Sequence, residues 1–295
     1  MTRPAPAPDS LPPGAGTREF LIGLARAFGG AILFSLPLIM TMEMWQLGYY
    51  MDRSRLAIFI IAMAPLLTAL DYFSGFRETS SWVDDAADAL TAYGVAFIAA
   101  TLILFLLGII GTGTPVHEAA GIIALQAIPA AFGAVLASSQ LKGDLTEEGG
   151  LDYGLALEEK ERRSSAGYRG ELLFMAAGAV FLGFNIAPTQ ESVIIAGSIT
   201  TWHVLALLAT SILLMHAIVY AVEFRGTPLT PKGTPHWQIF LRYTIVGYAL
   251  SLLISGYILW TFGRADGLAF DNFLAETIIL AFPSSLGAAA ARLLL

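Results

Sequence analysis

The chain contains no cysteine, which excludes disulfide bonds, thiol nucleophiles and thiolate metal sites. Charged residues are scarce as well, at 13% of 295 residues, against about 25% in a soluble domain. The four histidines lack the H-E-x-x-H spacing of a zinc protease, and neither a P-loop nor a dinucleotide fingerprint is readable. His216, inside an apolar run, is interpreted as a hydrogen-bonded side chain rather than a metal ligand. With no basic patch, nucleic acid is not an expected partner, and no cofactor other than a bound cation is predicted.

Apolar residues are abundant instead and make up 56% of the chain. A helix needs about 20 of them in succession to cross a bilayer. Eight runs approach this length, at approximately 20–43, 56–76, 87–110, 117–138, 170–188, 201–223, 238–262 and 272–294. Helices satisfy their own backbone hydrogen bonds, as lipid requires of a segment that crosses it. The sequence therefore predicts an all-α membrane protein with eight transmembrane helices.

The basic residues are distributed unevenly over the predicted loops. Thirteen lie at the termini or on the even-numbered loops, and three, Arg53, Arg55 and Arg264, lie on the opposite side. Because Lys and Arg accumulate on the cytoplasmic side of short loops, both termini are predicted to be cytoplasmic in the inner (plasma) membrane. Residues 1–17, rich in Pro and Gly, are predicted to be a disordered tail. Residues 141–169 are predicted to form a charged cytoplasmic linker.

A shift of 148 residues aligns the chain with itself. It places identical residues at Gly30 and Gly178, Thr41 and Thr189, Glu43 and Glu191, Tyr72 and Tyr220, and Arg77 and Arg225. A shift of 154 aligns Pro129 with Pro283 and Gly133 with Gly287. Four helices in each half would make both halves enter the membrane from the same side. The sequence therefore predicts a tandem parallel repeat of two four-helix units, 18–140 and 170–295, related by an axis along the membrane normal.

Three stretches carry a family resemblance: Glu43-x-Trp45, "FSGFRE" at the end of the second run, and "IPAAFGA" in the fourth. In these stretches the chain is similar to an uncharacterised group of prokaryotic polytopic integral membrane proteins of unassigned function. The resemblance covers most of the chain. It implies eight helices and no particular activity.

The repeated Thr-x-Glu stretch is the main functional candidate. Glu43 and Glu191 each end an apolar run, where a carboxylate is expected to face the bundle interior or water. A proline upstream of each frees a backbone carbonyl, and carboxylates, hydroxyls and carbonyls are oxygen ligands that cations take. Glu43, Glu191, Thr41 and Thr189 are therefore the predicted ion ligands, with a pair of hydrated helix ends as the alternative. Since residues two apart do not share a helix face, the Thr and Glu can cooperate only where the helix is unwound.

Other polar and small residues have a structural explanation beside a functional one. Arg77 and Arg225 suit either a cytoplasmic gate or simple anchoring of a helix end. Asp71 is a candidate ion-pair partner for such an arginine. Pro129 and Pro283 permit helix kinks, and the glycine four residues after each permits close packing.

These residues favour a cation channel or cation transporter, without separating the two. A proton needs one carboxylate, whereas calcium takes about six to eight oxygen ligands, and both ions stay open. A non-transporting scaffold or sensor that engages a partner through 141–169 is the alternative. A membrane enzyme acting on lipid ranks third, because no nucleophile or metal cluster is readable. The expected partners are the lipid bilayer and a small cation, and the sequence leaves a homo-oligomer open.

Reporter fusions test the predicted topology. Fusions after residue 150 and after residue 230 are both expected to report a cytoplasmic location, because the Lys and Arg bias places these two loops inside. An extracytoplasmic signal from either fusion would contradict the eight-helix arrangement.

Overall fold

The structure, a computed structural model, describes residues 15–74, 82–140, 167–224 and 236–294, and these are helical with short connections. The first half contains α1 (Ala15–Ile39), α2 (Met42–Tyr50), α3 (Arg53–Ser74), α4 (Trp82–Leu106) and α5 (Val116–Gln140). The second half contains α6 (Gly167–Ile186), α7 (Glu191–Ser198), α8 (Thr201–Phe224), α9 (His236–Ile239), α10 (Val246–Thr261) and α11 (Phe270–Leu294). A π-helix, Phe240–Ile245, joins α9 to α10.

Eight of the described segments are long and apolar enough to cross a membrane. They correspond to the eight runs in the sequence, which confirms an all-helical, multi-pass membrane protein. Several runs end earlier than predicted, among them the third, which ends at Leu106 rather than 110. The first was expected to continue to residue 43, but α1 ends at Ile39 and a separate helix begins at Met42. The fifth ends at Ile186 rather than 188, because Pro188 has no N–H to continue the helix.

Several predicted features lie outside the described residues. These are most of the tail 1–17, nearly all of the linker 141–169, and both Arg77 and Arg225. Where the description resumes, α1 already begins at Ala15 and α6 at Gly167. The helices therefore extend slightly into the stretches that the sequence analysis assigned to the tail and the linker.

The first and last spanning helices of each half meet at glycine. In the first half, Gly30 of α1 faces Gly133 of α5 so closely that a Cβ on either residue would overlap the backbone of the other. Gly178 of α6 and Gly287 of α11 meet in the same way. Small residues allow such an approach in lipid, where helix association depends on van der Waals packing.

The neighbours of these glycines also correspond between the halves. The same positions, 148 or 154 residues apart, make the same contacts: Gly30 with Ala137 and Gly178 with Ala291, and Gly133 with Phe34 and Gly287 with Leu182. Each half therefore uses its aligned positions for one helix–helix contact of the same kind.

The two halves contact each other mainly through α3, which packs on α6 and α10, and to a lesser extent through α5 and Phe34 of α1, which contact α6. Phe59, near the start of α3, stacks on Phe184, near the end of α6, with ring centroids 5.5 Å apart. Phe59 also meets Phe262, just after α10, edge-on at 6.2 Å. The start of α3 and the ends of α6 and α10 therefore share one end of the bundle, which we call the loop end. Since α1 also ends there, α1 and α6 run in the same direction. The opposite end, which holds the start of α1 and the end of α11, is called the terminal end.

Two adjacent glycines test the packing of α1 on α5. Gly30→Ala is expected to lower stability by about 1–3 kcal/mol, because the added methyl group has no space and the helices must separate. Gly29 is the matched control, because a Cβ there meets nothing within 4 Å. Gly29→Ala is expected to be neutral or to stabilise the helix by up to about 1 kcal/mol. Thermal unfolding in detergent measures both, and equal melting temperatures for the two variants would contradict the close approach.

Candidate functional site

The first Thr-x-Glu stretch lies where α1 is interrupted. Thr41 precedes α2 in an extended conformation, with φ −94° and ψ 128°. Its hydroxyl donates a hydrogen bond of 2.7 Å to the carbonyl of Leu38, in the last turn of α1. Glu43 follows in the first turn of α2 and is half-buried. The helix is therefore unwound at the position where cooperation between Thr and Glu requires it.

The second Thr-x-Glu stretch has the same local arrangement. The hydroxyl of Thr189 donates a hydrogen bond of 2.8 Å to the carbonyl of Ile186, the last residue of α6. Glu191 is exposed and begins α7. The polar hydroxyl of Thr189 beside it, followed by a backbone N–H, lowers the pKa of Glu191 below its usual value. Glu191 therefore keeps its negative charge at neutral pH.

Protein donors satisfy the backbone carbonyls at both interruptions. In the first half, the buried Gln126 Nε2 donates to the Leu38 carbonyl at 3.4 Å, and the Trp45 indole N–H donates to that of Ile39. In the second half, Arg264 Nη2 donates to the Pro188 carbonyl at 2.6 Å. These carbonyls already have partners, and the described residues contain no cluster of three or more His, Asp or Glu that could hold a metal ion. The described geometry thus provides few oxygen ligands for a large, highly coordinated cation.

A buried carboxyl group lies beside the second interruption. Glu276, two turns into α11, has 2% of its surface exposed. Its Oε2 has no hydrogen-bond partner among the described residues. The nearby charge acting on it is the guanidinium of Arg264, the same group that binds the Pro188 carbonyl. Glu276 is therefore linked, through Arg264, to the stretch that carries Thr189 and Glu191.

The sequence analysis did not select Glu276 as a site residue. The available signal was a single carboxylate inside "FLAETIILAF", where the flanking residues are apolar. The position of Arg264 next to it could not be read from the sequence, because Arg264 lies in the loop between α10 and α11, and the path of that loop decides how close it comes to Glu276.

A second buried polar cluster lies at the terminal end. Arg292 Nε donates a hydrogen bond of 2.8 Å to Glu171 Oε2, with 1% and 12% of the respective side chains exposed. The ring of Tyr243 lies 3.9 Å from the Arg292 guanidinium, and its hydroxyl donates to Glu171 Oε1 at 3.4 Å. Tyr243 belongs to the π-helix, a local geometry that often marks functional positions. The next residue, Thr244, lies 2.9 Å from His216 Nδ1.

Comparison with known protein families matches residues 23–295 to DUF2391, a family described as integral membrane proteins. The chain belongs to the DUF2391 family. No curated protein and no solved structure matches it. Membership confirms the resemblance found in the sequence and adds no activity to it.

The other residues that the sequence singled out in this DUF2391 chain lie within spanning helices. Asp71 is buried in the last turn of α3, with 2% of its surface exposed. Pro129 and Pro283 lie inside α5 and α11, each four residues before a glycine that touches the partner helix. His216 is hydrogen-bonded to Thr244, as the sequence interpretation expected.

The buried and exposed ion pairs of the DUF2391 chain are expected to differ in their contribution to stability. Glu171→Gln should destabilise by about 3–5 kcal/mol, because it leaves the charge of Arg292 buried without a counter-ion. Asp266→Asn is the control: Asp266 pairs with Arg55 at 2.9 Å, and 59% of its side chain is exposed. That substitution should cost at most about 1 kcal/mol.

Denaturant unfolding in detergent measures both substitutions. The double variant Glu171→Leu/Arg292→Met should recover most of the loss, because it removes both charges from the interior. Equal effects of Glu171→Gln and Asp266→Asn would contradict the assignment of Glu171 and Arg292 as a desolvated pair.

Proposed function

We propose that this protein moves a small cation across the membrane and that the cation is a proton. The observation that carries the proposal is Glu276, a carboxyl group buried in a spanning helix beside an interrupted helix. Ionisable residues inside membrane proteins are rare and mark ion pathways and proton relays. A proton needs a single carboxylate, whereas larger cations need several oxygen ligands, and the backbone carbonyls nearby are already hydrogen-bonded.

In this proposal the entrance of the ion pathway is acidic. It contains the predicted ligands Glu43 and Glu191, together with Thr41 and Thr189. In this proposal Glu191, charged and exposed, collects cations at the loop end, and Glu276 binds the proton inside the bundle. Carboxylates at the mouth of a pathway raise the local concentration of cations. Arg264 connects the two places, because its guanidinium donates to the Pro188 carbonyl beside the entrance and its charge acts on Glu276.

We infer that the two halves are a tandem parallel repeat. The support is the set of glycine contacts that recur at aligned positions and the shared direction of α1 and α6. The proposed ion site is then a specialisation of the second half, since Ile122 occupies the aligned position of Glu276 at the shift of 154. The Lys and Arg bias supports cytoplasmic termini and an inner-membrane location, which places the loop end outside the cytoplasm.

Proteoliposomes that contain a pH-sensitive dye test the proposal. Under an imposed membrane potential, the purified protein is expected to conduct protons. Glu276→Gln should reduce the flux to the level of empty liposomes, because the amide cannot exchange a proton. Glu43→Gln and Glu191→Gln should each reduce it in part, and the variant carrying both should come close to abolishing it.

Asp271→Asn is the matched control, because Asp271 is an exposed carboxylate in the first turn of the same helix. It should leave the flux unchanged. Size-exclusion profiles establish that all variants are folded. Wild-type flux in Glu276→Gln would refute the buried site. Flux of Na⁺, K⁺ or Ca²⁺ without protons would refute the choice of ion, and no flux of any cation would favour the scaffold or sensor reading.

A further inference from the structure

The contact between the two halves joins unlike surfaces. The first half contributes mainly α3, with smaller contacts from α5 and from Phe34 of α1, and the second half contributes α6 and α10. Phe59 of α3 is fully buried between Phe184 and Phe262. At the loop end, both terminal nitrogens of Arg55 donate to the carboxylate of Asp266 at 2.9 Å. In its main contact the interface is therefore head-to-tail: one unit offers its second spanning helix, and the other offers its first and third.

Each half also carries the counterpart of the surface that its partner half uses in this contact, and both counterparts are left uncovered within the chain. In the register of the repeat, α8 corresponds to α3. Among the described residues, the substantial packing of α8 is with α10, α11 and the π-helix of its own half. As a result 17% of the α8 span is buried, against 33% of the α3 span. The second half thus carries an unused copy of the surface with which the first half binds it.

The complementary surface is uncovered in the first half. In the same register, α1 corresponds to α6, and Leu36 corresponds to Phe184. Phe184 is 2% exposed because α3 covers it, whereas Leu36 is 38% exposed. On α8, Leu207 occupies the position of Phe59 and is only half-buried. Each chain therefore has one open surface of each type.

We propose that a second copy of this chain covers both surfaces, with α8 of each copy packed on α1 and α4 of the other. A head-to-tail contact between equivalent units closes into a ring when the rotation allows it. Two chains supply four units, so the contact made once inside each chain would be made twice more between chains. Exposed apolar side chains alone would not distinguish a partner from lipid, because lipid tails are as apolar as leucine. The unpaired halves of an interface that the chain already forms single out a second copy as the partner.

Cysteine cross-linking tests the arrangement directly, because the chain has no cysteine of its own. Leu207→Cys and Leu36→Cys are placed in separately tagged chains, co-expressed and oxidised in native membranes. The expected product is a covalent dimer at twice the mass of the chain that carries both tags. Neither variant expressed alone should form it, since a head-to-tail contact brings Leu207 of one copy to Leu36 of the other.

Two further variants control the chemistry. Phe59→Cys/Phe184→Cys places the pair in the aligned contact inside one chain. Its two halves should stay joined after cleavage at a protease site inserted behind residue 150. Leu253→Cys, on an exposed position of α10 outside both surfaces, should give no product with Leu36→Cys.

The number of chains in each native-membrane nanodisc, counted by mass photometry, provides an independent measurement. Two chains for each particle and the mixed cross-link support the proposal. A dimer of Leu207→Cys with itself would overturn it, because it would place α8 against α8. A single chain for each particle would overturn the proposal. So would a result in which Phe59→Cys/Phe184→Cys cross-links within the chain but Leu207→Cys and Leu36→Cys form no mixed dimer, because lipid would then cover both surfaces.

Discussion

Backbone groups inside a bilayer have no water to bind, and this constraint decides what the chain does wherever a helix is interrupted. Each half interrupts its first spanning helix, and each must then satisfy the carbonyls that lose their helical donors. At both places a threonine three residues farther along the chain donates its hydroxyl proton, to the carbonyl of Leu38 in one half and of Ile186 in the other. The remaining donors differ. The first half uses Gln126 and Trp45, whereas the second uses Arg264, and only the second choice brings a charge to the site.

That charge is one of several polar groups that distinguish the second half from the first, although the two interruptions have similar geometry. Glu276 is buried close to Arg264, and the aligned position in the first half is Ile122. Farther along α11, Ser284 bonds Ser255 and Arg292 bonds Glu171, while the aligned residues of α5 are Ala130 and Ser138. Both halves keep the glycine contact that joins their first and last helices. The first half also buries polar groups, such as Asp71 and Gln126, but on the last helix the buried polar pairs belong to the second half.

Each short helix that follows an interruption carries a carboxylate in its first turn, where a helix stabilises negative charge. Glu43 and Glu191 lie in the first turns of α2 and α7, and the unpaired N–H groups of a helix start attract negative charge. This placement holds both carboxylates at the loop end without any contact between them. A role for the pair would therefore come from the field at this end of the bundle, not from a shared coordination shell.

Composition and apolar run length were sufficient to predict the membrane class and the eight spans, because the thickness of the bilayer sets the length of any segment that crosses it. The recurrence of Thr-x-Glu marked the two places where unwinding would matter, but the first run was predicted to continue to residue 43, and α1 ends at Ile39. The partners of these interruptions could not be predicted. Gln126 is 88 residues from Leu38, and Arg264 is 76 residues from Pro188. The sequence alone thus determined where the chain crosses the membrane and marked the Thr-x-Glu stretches, because both are properties of neighbouring residues. Only the tertiary structure decided which carboxylate is buried and which face of each half is covered, because both depend on helices that are distant in the chain.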